Sequence, residues 1–280
     1  YCYNTSILKA KMNLYYLEFS NFFNYEDCNN KKNIFSKKSN IDWNAHQSGG
    51  RITEYKKDFL LFTTGEFRKR EAAQNPKSPL GKIIKINKSN PNTYSIFSMG
   101  HRNPQGLYYD KEKDLVLSTE HGPKGGDEIN LIIEGQNYGW PISSYGEHYG
   151  FKTDTGDKNY GIWEDEIYSY YPLHKSHKDY GFKEPIKYFV PSVAPSEILK
   201  VPNIFSDQII NKYLMTTLYA GGRGLSLFLI EFNENYTGIV TLEKIYIGER
   251  IRDIIYSEDT NSFFLILENS PAIAEFKSFK

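Results

Sequence analysis

Three stretches of this chain repeat one form, and that repetition limits the possible folds more than any other feature. Arg51–Asp58 leads into Phe59–Thr64, Gly106–Asp114 into Leu115–Thr119, and Asp253–Asn261 into Ser262–Leu267. Each is a short strand, a charged turn and an apolar strand, the pattern of a β-hairpin. Further β-rich runs at Tyr213–Leu218 and Leu225–Phe232 are set off by Gly, Asn, Asp or Pro, and Tyr1 to Leu17 reads as strand, turn, strand. The 23 Tyr and 18 Phe residues favour strands. Helical periodicity is weak, with one short candidate near Asp207–Tyr213. Degenerate hairpins spread along 280 residues predict an all-β single domain, a β-propeller whose four-stranded sheets surround a channel.

Bulk chemistry narrows the function. Lys plus Arg and Asp plus Glu both number 34, which argues against a nucleic-acid or membrane surface built on net charge. No segment approaches the ~18 apolar residues of a membrane span. Cys2 and Cys28 fit one disulfide in an oxidising compartment or two free thiols. There is no Gly-x-Gly-x-x-Gly after a strand, no phosphate loop, no Gly-x-Ser-x-Gly elbow and no Cys-x-x-Cys pair. Nicotinamide enzymes, nucleotide hydrolases, serine hydrolases and zinc proteins each lose ground.

Polar groups hold one place in every copy of the hairpin. His46-Gln47 precedes the first, His101-Arg102-Asn103 the second and Arg250-Ile251-Arg252 the third. Equivalent blade elements would open these loops on one face, so residues from both ends of the chain meet in one pocket. His46 suits a general base there, against the plainer reading of a hydrogen-bonded surface residue. Arg250 and Arg252, two apart on an extended segment, share a face. With Arg102 they match a ligand bearing several carboxylates or phosphates, or else a structural ion-pair network with Asp127 or Glu128. Gly122-Pro123 followed by Asp127-Glu128 offers carbonyl and carboxylate oxygens to a hard cation such as Ca²⁺.

The motif set His46-Gln47-Ser48-Gly49-Gly50-Arg51, Met99–Leu107, Glu120–Leu131, Gly135–Pro141, Val190–Ser196, Gly222-Arg223-Gly224 and Glu249–Asp253 resembles the glucose/sorbosone dehydrogenase family. It runs in family order from about residue 40 to the end. The resemblance implies a six-bladed propeller, with its opening segment lying before Tyr1, that binds pyrroloquinoline quinone (PQQ) and Ca²⁺ and oxidises an aldose at the anomeric carbon to the lactone. It implies His46 as general base, Arg102 and Asn103 against quinone and substrate, and Arg250 and Arg252 on the PQQ carboxylates. Gly122 and Pro123 would hold the cofactor's Ca²⁺ through their carbonyls, and Glu128 and Tyr138 match positions of a second, structural Ca²⁺. The partners implied are a small sugar and an electron acceptor, in a periplasmic or secreted monomer or homodimer. The chain departs from the pattern where Ala45 replaces an acidic residue, in one extra residue within His46–Arg51, and at Gly222, where a cofactor-binding Lys is expected. The alternative is a non-catalytic propeller that binds carbohydrate or protein.

Overall fold

Each repeated hairpin becomes a pair of neighbouring antiparallel strands, and each such pair opens a larger sheet. The computed structural model describes residues 3–12, 17–27, 46–149, 171–203, 205, 209–219, 221 and 224–277. Strands β1 (Tyr3–Met12) and β2 (Leu17–Asp27) pair as a hairpin. The first larger sheet holds β3 (Gly49–Tyr55), β4 (Phe59–Thr64), β5 (Lys82–Asn87) and β6 (Tyr94–Met99), with helix α1 (Arg70–Gln74) between β4 and β5. The second holds β7 (Pro104–Asp110), β8 (Leu115–Glu120), β9 (Asp127–Ile132) and β10 (Lys187–Phe189). The third holds β11 (Pro195–Lys200), β12 (Tyr213–Thr217), β13 (Ser226–Phe232) and β14 (Ile239–Tyr246), and the fourth β15 (Ile251–Ser257), β16 (Ser262–Leu267) and β17 (Ala272–Lys277). All pairings are antiparallel between successive strands.

The pair β11–β12 is a fourth copy of the repeated hairpin, hidden in the sequence by the long connection between its strands. No helix forms in the described part of the stretch near Asp207–Tyr213; residues 206–208 lie outside the described residues, as do Cys2 and Cys28. Tyr213 instead opens β12, where its hydroxyl donates to Asp110 Oδ2 at 2.6 Å.

Burial follows position in the sheet. Every residue of the central strand β12 is buried, as expected for a strand packed on both faces. The innermost strand β3 alternates between partly buried and exposed. The sheets then stack face to face through three apolar seams. Leu61, Ile83 and Phe97 of the first sheet meet Leu107, Tyr109 and Val116 of the second. Leu117, Ile129 and Phe189 of the second meet Ile198, Met215 and Phe228 of the third. Leu199, Leu214 and Leu229 of the third meet Ile254, Phe263 and Leu265 of the fourth. With β3 against β7, β7 against β11 and β11 against β15, the leading strands surround a common axis, the arrangement of a β-propeller.

One side chain joins all four leading strands. From β3, Arg51 Nε donates to the Gln105 carbonyl of β7 at 2.5 Å, and Nη2 to the Arg252 carbonyl of β15 at 2.6 Å. Its Nη1 lies 3.3 Å from Glu197 Oε2 on β11 and 2.9 Å from Asp253 Oδ2 on β15. Only a planar fork with several fixed donors can serve so many acceptors at once. Glu197 extends the link, accepting the Leu107 N–H of β7 at 3.0 Å. Arg51→Ala should therefore lower the unfolding free energy by about 3 kcal/mol, because it leaves two partly buried carboxylates without their cation. Arg51→Lys should recover less than half of that loss. Urea denaturation of the three proteins checks this, and a loss below about 0.5 kcal/mol for the Ala variant would count against it.

Candidate active site

The turn-rich motif at 100–106 is held rigid from beneath by one carboxylate. Glu120, at the end of β8, accepts His101 Nδ1–H at 2.9 Å through Oε2 and the Arg102 backbone N–H through Oε1. His101 is fully buried, bonds Ser98 Oγ through Nε2 at 2.8 Å and stacks on Tyr138 with ring centroids 4.7 Å apart. It is an anchor and leaves the reactive roles to its neighbours.

Arg102 is buried too, yet its guanidinium reaches a cavity wall. Nη1 donates to the Gly122 carbonyl at 2.6 Å and the His121 carbonyl at 3.1 Å, and the group lies 5.3 Å from the Trp140 ring, a cation–π contact. Nη2 donates to the Gln47 side-chain carbonyl at 2.9 Å, and the Gln47 amide donates to Glu66 Oε1 at 3.2 Å. Asn103 Oδ1 accepts the Gly49 N–H at 3.1 Å and Gln105 Nε2–H at 3.0 Å, which ties the His46 loop to β7.

The 122–126 turn and the 190–195 loop share a second carboxylate. Asp127 Oδ1 accepts the Gly122 N–H at 3.0 Å; Oδ2 accepts the Val193 N–H at 2.8 Å, the Ala194 N–H at 2.7 Å and the Ser192 hydroxyl. Gly122 has no room for a side chain, since a Cβ there would lie 2.3 Å from the Gly125 and Gly126 carbonyl oxygens. The Pro123 carbonyl accepts the Tyr149 hydroxyl at 3.2 Å.

These loops enclose a cavity of about 720 Å³. His46, Arg102, Asn103, Gly122, Pro123 and Arg250 all line it. The first and last hairpins thus contribute to one pocket, as the shared position of their leading loops predicts. Among the described residues, Arg68, Arg102, Lys124 and Arg250 line it with the carboxylate of Asp127, which gives this part of the wall a cationic balance. Arg252 stands outside the lining and donates through Nη1 to Gln105 Oε1 at 3.2 Å. Its Nε and that of Arg250, the latter at 2.8 Å, both donate to Glu268. The two guanidinium groups hold the Glu268 carboxyl below its usual range against the opposing push of burial. Their acidic partner is therefore Glu268, not Asp127 or Glu128.

Glu128 and Tyr138 also come together, but around a side chain. His177 Nε2 lies 3.2 Å from Glu128 Oε1, and Nδ1 donates to the Tyr138 carbonyl at 3.0 Å. Burial disfavours the charged form of His177, but Glu128 and Glu184 outweigh it and hold the imidazole above its ordinary range. Ala45, Gly222 and Arg223 lie outside the described residues.

Glu66 lies in no motif, and His121, though inside Glu120–Leu131, is given no role by it; the folded chain brings both to the site. Burial pushes His121 below its ordinary range, while its ring Nε2–H is given to the Pro195 carbonyl at 2.7 Å. Glu66 is 1% exposed, and its backbone N–H donates to the Arg102 carbonyl at 3.0 Å. Burial pushes its carboxyl up to about 7 despite the nearby Arg102 and Arg70.

The fold and the cavity define a class: an all-β propeller with a cationic pocket at the mouth of its channel. Residues 6–274 match the Glucose / Sorbosone dehydrogenase family, and the chain belongs to that family. It is 36% identical over 117 residues to the aldose sugar dehydrogenase YliI of Escherichia coli strain K12, covering 37% of this chain and 32% of that protein. It is 41% identical over 87 residues to the quinoprotein glucose dehydrogenase B of Acinetobacter calcoaceticus, covering 28% of this chain and 17% of that one. The structure is similar to that of the apo form of the soluble aldose sugar dehydrogenase of Escherichia coli, with a TM-score of 0.65 and 25% identity over 81% of this chain and 62% of that chain. The chain spans about half or less of the length of the curated relatives it matches. Among the described residues no helix is long and apolar enough to cross a membrane.

The raised Glu66 carboxyl has a signed consequence for stability. Between about 4.5 and about 7 the folded chain keeps a proton that the unfolded chain releases. Its contribution is full below about 4.5 and is lost as pH rises through about 7. Glu66→Gln should remove up to about 1.4 kcal/mol per pH unit of that downward slope. Denaturant titrations at several pH values across this window measure it, and an unchanged slope would refute the assignment.

Proposed function

We propose that this protein oxidises an aldose at its anomeric carbon to the lactone, with PQQ and Ca²⁺ as cofactors, in a single six-bladed propeller domain working in the periplasm or outside the cell. The observation that carries this reading is the convergence of His46, Arg102, Asn103 and Arg250 on one cationic cavity. Arg102 and Arg250, beside His46 and Asn103, suit a planar ligand with several carboxylates better than a neutral sugar alone. The cavity of about 720 Å³ lies within the range of cofactor sites, roughly 300–1,000 Å³. Membership of the family, and a relative designated a quinoprotein, support the same ligand.

The residues present fit both groups. PQQ, when bound, supplies a two-electron acceptor for the hydride of the anomeric carbon. Arg102, fixed by the Gly122 and His121 carbonyls, would present a cation at the quinone, and Asn103 an amide beside it. Arg250, on the cavity wall, would exchange Glu268 for a carboxylate of the cofactor, while Arg252, outside the lining, would have to turn from Glu268 and Gln105 to reach one. Gly122 and Pro123 would hold Ca²⁺ through carbonyl oxygens, the donor chemistry that ion takes. His46 takes the proton of the anomeric hydroxyl, so that the carbonyl of the lactone forms as the hydride departs. His121, held low by burial, offers no competing charge.

The reading is tested by loading the full-length protein with PQQ and Ca²⁺ and following dye reduction with several aldoses. No binding at micromolar PQQ overturns it. His46→Ala should retain PQQ and lose turnover by about 10²–10⁴-fold; unchanged turnover would remove His46 from the mechanism. Calcium chelation should weaken PQQ binding roughly 10-fold or more, and Gly122→Ala should do the same. Titration of PQQ absorbance checks both.

A further inference from the structure

The family resemblance assigns Glu128 and Tyr138 to a second, structural Ca²⁺, and the residues around them do not fit that ion. Calcium takes six to eight oxygens at roughly 2.3–2.6 Å. Here an imidazole stands between the two residues: His177 Nε2 lies 3.2 Å from Glu128 Oε1, an ion pair without hydrogen-bond alignment, and Nδ1 donates to the Tyr138 carbonyl at 3.0 Å. The other Glu128 oxygen accepts Asn130 Nδ2–H at 3.1 Å.

The position of His177 is built, not incidental. It is 1% exposed. Glu184 Oε1 accepts its backbone N–H at 2.8 Å and that of Lys178 at 2.9 Å, while Glu184 Oε2 accepts the Tyr145 hydroxyl at 2.7 Å. The Tyr145 ring, stacked on Tyr188 at 3.8 Å, lies 5.3 Å from the imidazole. On the opposite side a glycine makes space, since a Cβ on Gly139 would come within 3.1 Å of His177 Nδ1. We infer that His177 takes the place of the second calcium, stapling Glu128 on β9 to the Tyr138 carbonyl without metal. The staple matters to the site above it. The Tyr138 N–H donates to the Met99 carbonyl at 2.9 Å, the Trp140 N–H donates to the Gly100 carbonyl at 3.0 Å, and the Trp140 ring carries Arg102.

The test reads thermal melting of the full-length, cofactor-free protein after EGTA treatment, with and without millimolar CaCl₂. It does not read turnover, so its outcome is separate from that of the proposed activity. Any stabilisation by calcium at Gly122 and Pro123 is common to the wild type and Glu128→Gln, so the two should show the same calcium-induced rise in Tm. A rise in the wild type that Glu128→Gln loses would show that Glu128 ligates calcium, and would overturn the inference. His177→Ala should melt roughly 10 °C lower than the wild type, because a buried carboxylate loses its partner. Melting of His177→Ala at the wild-type temperature would equally overturn it. Should that variant not fold, the comparison of wild type with Glu128→Gln still decides.

Discussion

The whole arrangement hangs on a charge at the propeller axis. Sheets that stack around a channel have seams between neighbours but little reason, from those seams alone, to agree on a common centre. Arg51 supplies that reason. Its fork takes one carbonyl from β7, one from β15 and carboxylates from β11 and β15, so the register of each leading strand is set against the other three. A lysine has neither the plane nor the donors for this. The loops that carry His46, Arg102 and Arg250 spring from the same strands, and they inherit that mutual alignment.

Above the axis, carboxylates act as local organisers. Glu120 fixes both the His101 ring and the Arg102 backbone. Asp127 gathers the N–H groups of two separate loops. Each uses negative charge to order backbone that no regular ladder would satisfy, which is how a turn-rich segment stays rigid. The loops that line the cavity are thus ordered before any ligand arrives, and the pair of Arg250 with Glu268 is the contact a polyanion would have to rearrange.

Much of the fold was legible in the chain because hairpins announce themselves locally. The strand pairs at 51–64, 106–119 and 253–267 have apolar alternation on both sides of a charged turn, and all three are observed. The pair β11–β12 is harder to read because its connection, residues 201–212, is long and carries several turn signals in place of one short charged turn. Among the site residues, Arg250 and Arg252 were readable as sharing a face, which follows from strand geometry. Their partner Glu268 was not, since it lies across a pairing that only the folded β15–β16 ladder creates. Glu66 and His177 were invisible for the same reason. Nothing near them in sequence marks them, and their chemistry comes from burial and from neighbours far along the chain.

The grip of Glu268 on both arginines sets a condition on what can dock there. An anion that pairs with Arg250 or Arg252 must displace a carboxylate already tethered there, whose effective concentration is fixed by the fold. A monovalent ion in dilute solution competes poorly against such a tethered rival. A molecule with several acidic groups on a rigid ring, anchored at Arg102 as well, competes on more favourable terms. At these two arginines, Glu268 thus sets a threshold that several charges on one molecule meet more readily than one.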